Sequence, residues 1–138
     1  MPRQYPTRPE SVSQVRTQVR ELLRSEGVDV DSGAGGADSV VLVASELASN
    51  AVCHAADSGV YSVCCELRGS LCVIRVSDDG VLVPPERATL GDAHALSGRG
   101  LFLVEALARN WGCTPRGDGA GKVIWAELLI APPSPTTP

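Results

Sequence analysis

The sequence predicts a two-layer α/β sandwich, a mixed, mostly antiparallel sheet with helices on one of its faces. Three observations lead there. Two early segments carry apolar residues at helical spacing. Later runs alternate apolar and polar residues with period two and are joined by tight turns. A chain of 138 residues has the length of one domain, and 43% hydrophobic residues suffice for a single core. Because only 4% of residues are aromatic, that core must be built from Val, Leu and Ala.

Residues 1–10 are polar and proline-rich, with room for a short edge strand around Gln4 and Tyr5. Pro9, Glu10 and Ser11 open a helix, because Val12, Val15, Val19, Leu22 and Leu23 then recur at helical spacing through Arg24. Gly27 is its expected stop. Asp31 to Gly36 is a Gly-rich loop, but no Gly-Lys-Ser/Thr follows, so it is not a phosphate loop of the Walker type. Asp38 or Ser39 is expected to cap a second helix running to about Ala56. Its Val40–Leu47 stretch is apolar nearly all round, which predicts deep burial.

Strands begin at Gly59. Tyr61, Val63, Cys65 and Leu67 share one face, Arg68-Gly69-Ser70 is a hairpin turn, and a second strand runs from Leu71 to Ser77. Val81 to Ser97 has two prolines, a glycine and no period, and is expected to be a long functional loop. Gly100 to Asn110 is a predicted helix with Leu103, Val104 and Leu107 on one face. Cys113–Arg116 and Val123–Ile130 form a last hairpin around Gly117-Asp118-Gly119. The domain thus spans residues 11–130, with a Pro-rich tail over residues 131–138 expected to be disordered.

A net charge of −4 argues against a nucleic-acid surface, which needs clustered cations. Arg16, Arg20 and Arg24 do recur at i, i+4, i+8, and are read as a solvated helix face. No signal peptide opens the chain and no apolar run approaches the ~20 residues of a membrane span, so a cytoplasmic protein is expected. Five cysteines without a C-x-x-C pair are expected to be free thiols.

Glu46 and Asn50 lie one turn apart on the second helix and share a face. They could be helix-edge residues bonded to a loop. Alternatively, the Asn oxygen could ligate magnesium while the carboxylate deprotonates an attacking hydroxyl or water. His54 continues that face, where the helix dipole also favours a histidine. Asp78 follows Cys72, Ile74 and Val76 in period two, so it faces the helices. It belongs either to an Asp-Asp-Gly turn or to a contact that tells an adenine amino group from a guanine oxygen. Gly98-Arg99-Gly100-Leu101 opens a helix, where backbone amides could approach a phosphate.

These segments come in a fixed order: Glu46-Leu47-Ala48-Ser49-Asn50-Ala51-Val52-Cys53-His54, then Val76-Ser77-Asp78-Asp79-Gly80, then Ser97-Gly98-Arg99-Gly100-Leu101. In that order, from about Tyr5 to Leu129, the chain resembles the GHKL ATPases, the superfamily of gyrase, MutL and the histidine kinases. Its size is most similar to the small anti-sigma-factor serine/threonine kinases. The resemblance implies a Bergerat-type ATP-binding fold, with Glu46 as catalytic base and Asn50 as magnesium ligand. It implies nucleotide contacts at Asn50, His54, Asp78, Gly80, Ser97, Gly98, Arg99, Gly100 and Leu101, with the Val81–Ser97 loop as a lid. The implied cofactors are ATP or ADP with Mg2+. The implied partners are a sigma factor, a STAS-type antagonist that is phosphorylated, and a second copy of the chain, with no nucleic acid and no membrane. A dimer could use the sheet's other face, where Leu71, Val73, Val123 and Trp125 alternate away from the helices. Three positions depart from the family pattern: Cys53 replaces a common Arg, Leu82 a glycine, and Val123 a threonine expected to contact the site. The competing reading is a non-catalytic module that senses adenine nucleotide.

Overall fold

The computed structural model describes residues 2–31, 36–54, 59–78, 102–116 and 121–130. Apolar residues at the predicted helical positions give α1 (Ser11–Ser25) and α2 (Ala37–His54). The alternating runs give β1 (Arg3–Pro6), β2 (Val60–Arg68), β3 (Leu71–Asp78), β4 (Asn110–Pro115) and β5 (Lys122–Leu129). The strands form one sheet in the order β1-β2-β3-β5-β4, and all four described pairings are antiparallel.

Helix α1 buries Val12, Val15, Val19 and Leu23. Ser11 pins its first turn to the sheet, since its hydroxyl donates to Arg8 O at 2.8 Å and shares a 2.6 Å bond with the buried Tyr61 hydroxyl. Tyr61 in turn stacks on Tyr5 of β1 at 5.7 Å between ring centres. The helix ends where Gly27 reaches φ +85. There Val28 N–H donates to Leu23 O and Gly27 N–H to Arg24 O, the paired bonds of a Schellman ending, with Val28 buried beside them.

Helix α2 is the middle of the molecule. It packs on α1 and on β3 and β5, which is why Val40, Val43, Ala44, Leu47, Ala48 and Ala51 are all fully buried. It begins at Ala37, so Asp38 lies inside the first turn instead of capping it. A carboxylate in that turn still meets the positive end of the helix dipole. Gly36, with φ +85, sets the entry, and a Cβ there would lie 3.0 Å from the backbone oxygen of Leu129. Gly36→Ala combines left-handed strain with a clash against backbone. It should lower stability by about 1–3 kcal/mol in urea unfolding; an unchanged midpoint would contradict the close approach.

Strands β2 and β3 are joined at the expected place by a two-residue turn, Gly69-Ser70; Arg68, expected in the turn, ends β2 opposite Leu71. Several boundaries differ from the sequence reading. Asp78 is the last residue of β3, paired with Lys122, where the strand was expected to end at Ser77. The helix expected to reach Asn110 is helical over residues 102–107. Arg109 N–H then donates to Glu127 O at 2.7 Å, so the chain enters the sheet early, and β4 starts at Asn110 where Cys113 was expected. The period-two placement of Trp111 and Cys113 against the core drives this. The Val81–Ser97 loop, the turn at residues 117–119 and the tail lie outside the described residues.

Cys72, Ile74 and Val76 of β3 and Ile124, Ala126 and Leu128 of β5 face the helices and complete the core. The opposite face carries Leu71, Val73, Val123 and Trp125 as expected, with Leu129 opposite Leu71. Trp125 lies flat enough on Gly112 that a Cβ there would sit 2.8 Å from its ring. The strip does not run across the whole sheet. On β2, Glu66 is paired with Arg75 at 2.8 Å and Arg68 at 3.1 Å. Hydrogen bonds from Arg75 and then Arg68 hold its carboxyl below the usual range. The five cysteines are free thiols. Cys65 and Cys72 touch across β2 and β3, Sγ to Sγ at 3.4 Å.

Candidate functional site

Glu46 and Asn50 project from α2 one helical turn apart, and both line a groove of about 600 Å3 between α2 and the start of α1. Pro9, Val12 and Arg16 form its α1 side, and Cys53 lies at its α2 end. Arg16 is not merely solvated. Its Nη1 donates to Ser45 Oγ at 3.1 Å, which draws the guanidinium across to α2. The groove that holds Cys53 in place of the common Arg therefore receives a guanidinium from α1.

Asn50 is 7% exposed, and its Oδ1 has no hydrogen-bond partner among the described residues. A buried amide oxygen left unpaired costs about 1–3 kcal/mol, so it calls for an explanation, and a bound ion is one. Glu46 is half-buried at the same groove. His54 is the last residue of α2. Gly80, Ser97, Gly98, Arg99, Gly100 and Leu101 lie outside the described residues.

A second polar cluster sits at the end of β3. Asp78 is on the helix-facing side, as its period predicts, and is 1% exposed. Lys122, directly opposite on β5, is 2% exposed and places Nζ 3.2 Å from Asp78 Oδ1. The contact joins opposite charges, but among the described residues Nζ makes no hydrogen bond. Arg116 Nη1 donates to Asp78 O at 3.5 Å from the end of β4. Burial pushes the nearby Cys113 thiol above its ordinary value; Lys122 opposes that shift and Asp78 adds to it.

Asp78 and Lys122 are not among the described residues that line the groove, so the site residues fall into two groups. What links them is chemical. Asn50 Oδ1 and Lys122 Nζ are the two buried side-chain atoms without a hydrogen bond among the described residues. Sequence reasoning missed Lys122. Its signal was the alternation Lys122, Ile124, Ala126, Leu128, which puts the chain's one lysine on the buried face. The same alternation sends Val123 to the outer face opposite Ser77. The loss of a threonine hydroxyl there removes no contact on the side of Asp78, contrary to the expectation from sequence.

Among the described residues no three His, Cys, Asp or Glu side chains gather as a metal cluster, and no helix is long and apolar enough to cross a membrane. Residues 5–127 match the sequence profile of a family described as histidine kinase-like ATPase domain. No curated protein matches the sequence. Among solved structures, the nucleotide-free catalytic domain of the histidine kinase ThkA is 15% identical, with a TM-score of 0.56 over 96% of this chain and 99% of that one. Full-length ShkA in complex with AMPPNP is 21% identical, with a TM-score of 0.56 over 94% of this chain and 31% of that one. The histidine kinase domain of the blue-light activated EL346 from Erythrobacter litoralis is 21% identical, with a TM-score of 0.50 over 91% and 61%. At these identities the likeness is one of fold.

Proposed function

Because the chain belongs to the histidine kinase-like ATPase domain family, we propose that it binds ATP or ADP with magnesium and acts as an anti-sigma factor with serine/threonine kinase activity. One observation carries this reading: a buried, unpaired amide oxygen on Asn50, one turn from the carboxylate of Glu46 on the same groove. An amide oxygen is a hard donor that suits magnesium, which binds through one or two protein oxygens and the phosphates of its nucleotide. When bound, the ion supplies positive charge to the phosphates during transfer.

The protein's own residues do the rest. Glu46 accepts the proton of the incoming serine or threonine hydroxyl, and Asn50 fixes the metal-nucleotide. Asp78 accepts from the exocyclic amino group of the base, and the segment Gly98–Leu101, with Ser97, Gly80 and His54 nearby in the motif, contacts the nucleotide. The substrate is a STAS-type antagonist, and the protein held in the nucleotide-bound state is a sigma factor. The apolar strip of Leu71, Val73, Trp125 and Leu129 is the proposed homodimer surface. The setting is the cytoplasm. The non-catalytic alternative rests on Leu82, outside the described residues, and on Val123, which the register places on the face away from Asp78.

The direct test is thermal unfolding with and without ligand. A ligand that binds only the native state stabilises it by mass action, about 2.7 kcal/mol at a hundredfold excess over Kd. ATP or ADP with magnesium should therefore raise Tm by roughly 5–10 °C, and Asp78→Asn should remove most of that shift. A Tm unmoved by millimolar ATP would end the nucleotide reading.

A further inference from the structure

We propose that Lys122 is a second base-reading residue, whose ammonium donates to the ring nitrogen beside the amino group that Asp78 accepts from. The inference rests on the nucleotide reading above and deepens it.

Four observations carry it. Asp78 and Lys122 are direct partners across β3 and β5, so both side chains leave the sheet on the helix side. Their charged ends stand 3.2 Å apart. Every other residue that β5 turns toward the helices is apolar: Ile124, Ala126 and Leu128. The ammonium, 2% exposed, has no hydrogen bond among the described residues. An ammonium carries three donors, and a single off-axis carboxylate contact leaves a buried one short of acceptors. A structural counter-ion would gain more by aligning on the carboxylate. A donor held beside the carboxylate and aimed off it is instead suited to a second acceptor.

The ligand follows from the pair. A carboxylate acceptor next to an ammonium donor matches a flat edge that presents an N–H donor next to a bare nitrogen. Adenine has that edge twice, since its amino group is flanked by N1 and by N7. In a dry site a charge-assisted hydrogen bond is stronger than a neutral one, so the second contact should weigh in affinity.

The test is calorimetric titration of the wild-type protein with magnesium and four nucleotides: ATP, the two ATP analogues in which carbon replaces N1 or N7, and GTP. Loss of a hydrogen bond to a charged group predicts that one of the carbon analogues binds roughly ten- to a hundredfold more weakly than ATP. Lys122→Met should lower ATP affinity to the level of that analogue and abolish the difference between them. Equal binding of ATP and both analogues would overturn the inference while leaving the nucleotide reading intact. So would a difference that survives in Lys122→Met. Tighter binding of GTP than ATP would set the ammonium against a carbonyl oxygen and also overturn it. If no nucleotide binds, the nucleotide reading falls and takes this one with it. Should Lys122→Met fail to fold, the analogue series on the wild-type protein decides the matter.

Discussion

Glu46→Gln is expected to lower phosphoryl transfer to a cognate serine or threonine by roughly a hundredfold or more, while leaving ATP binding near wild type. General-base catalysis contributes about that much, and the amide keeps the size and hydrogen bonding of the carboxylate without its proton acceptor. The groove argues for separate effects, because Glu46 is half-buried at its wall while the unpaired oxygen belongs to Asn50. Asn50→Ala should therefore behave differently and weaken metal-nucleotide binding itself. Single-turnover transfer from labelled ATP to a STAS-type antagonist, run beside a binding titration, reads both quantities. Transfer unaffected by Glu46→Gln would remove the base role. A wild-type protein that binds ATP yet transfers to no antagonist would leave a nucleotide-sensing module in its place.

The second large effect concerns stability. Lys122→Met removes a cation from beside the buried Asp78 carboxylate, and breaking one partner out of a buried ion pair costs about 3–5 kcal/mol. That is a large part of the roughly 5–15 kcal/mol that holds an ordinary domain folded. Chemical unfolding should show it as a lower midpoint with an unchanged slope. Adding Asp78→Leu should restore much of the loss, because replacing both ions by apolar side chains is often neutral or better. The double variant would at the same time lose base recognition. A single variant as stable as wild type would mean that the carboxylate is neutralised by something other than Lys122.

The order of elements was legible because each carries one clear period. Val12, Val15, Val19 and Leu23 spell α1, and Tyr61, Val63 and Cys72, Ile74, Val76 spell the central hairpin. Ends were harder. Asp38 has the chemistry of a cap, yet Gly36 against Leu129 O fixes the entry of α2 two residues earlier. Helical spacing near Leu103 and Leu107 concealed that Arg109 is recruited by Glu127, a partner remote in sequence. Glu46, Asn50 and Asp78 could be found from spacing because each sits on a face defined by its apolar neighbours. Lys122 and Arg16 could not be found in that way. One is matched to Asp78 by strand register and the other to Ser45 by helix packing, and neither relation is local in the chain.

The outer strands of the described sheet limit how this protein can assemble. One edge is β1, four residues long, with Pro2 before it and Pro6 as its last residue; the other is β4, which ends at Pro115. Proline offers no N–H to a neighbouring strand, and short proline-bounded edges are how sheets resist being extended by another chain. A second copy would find little to zip onto at either margin. The homodimer proposed above would therefore use the broad side of the sheet, where Trp125 and Leu129 lie. Such a face-to-face assembly would leave only short, proline-bounded edges uncovered, and these offer a growing fibre little to pair with.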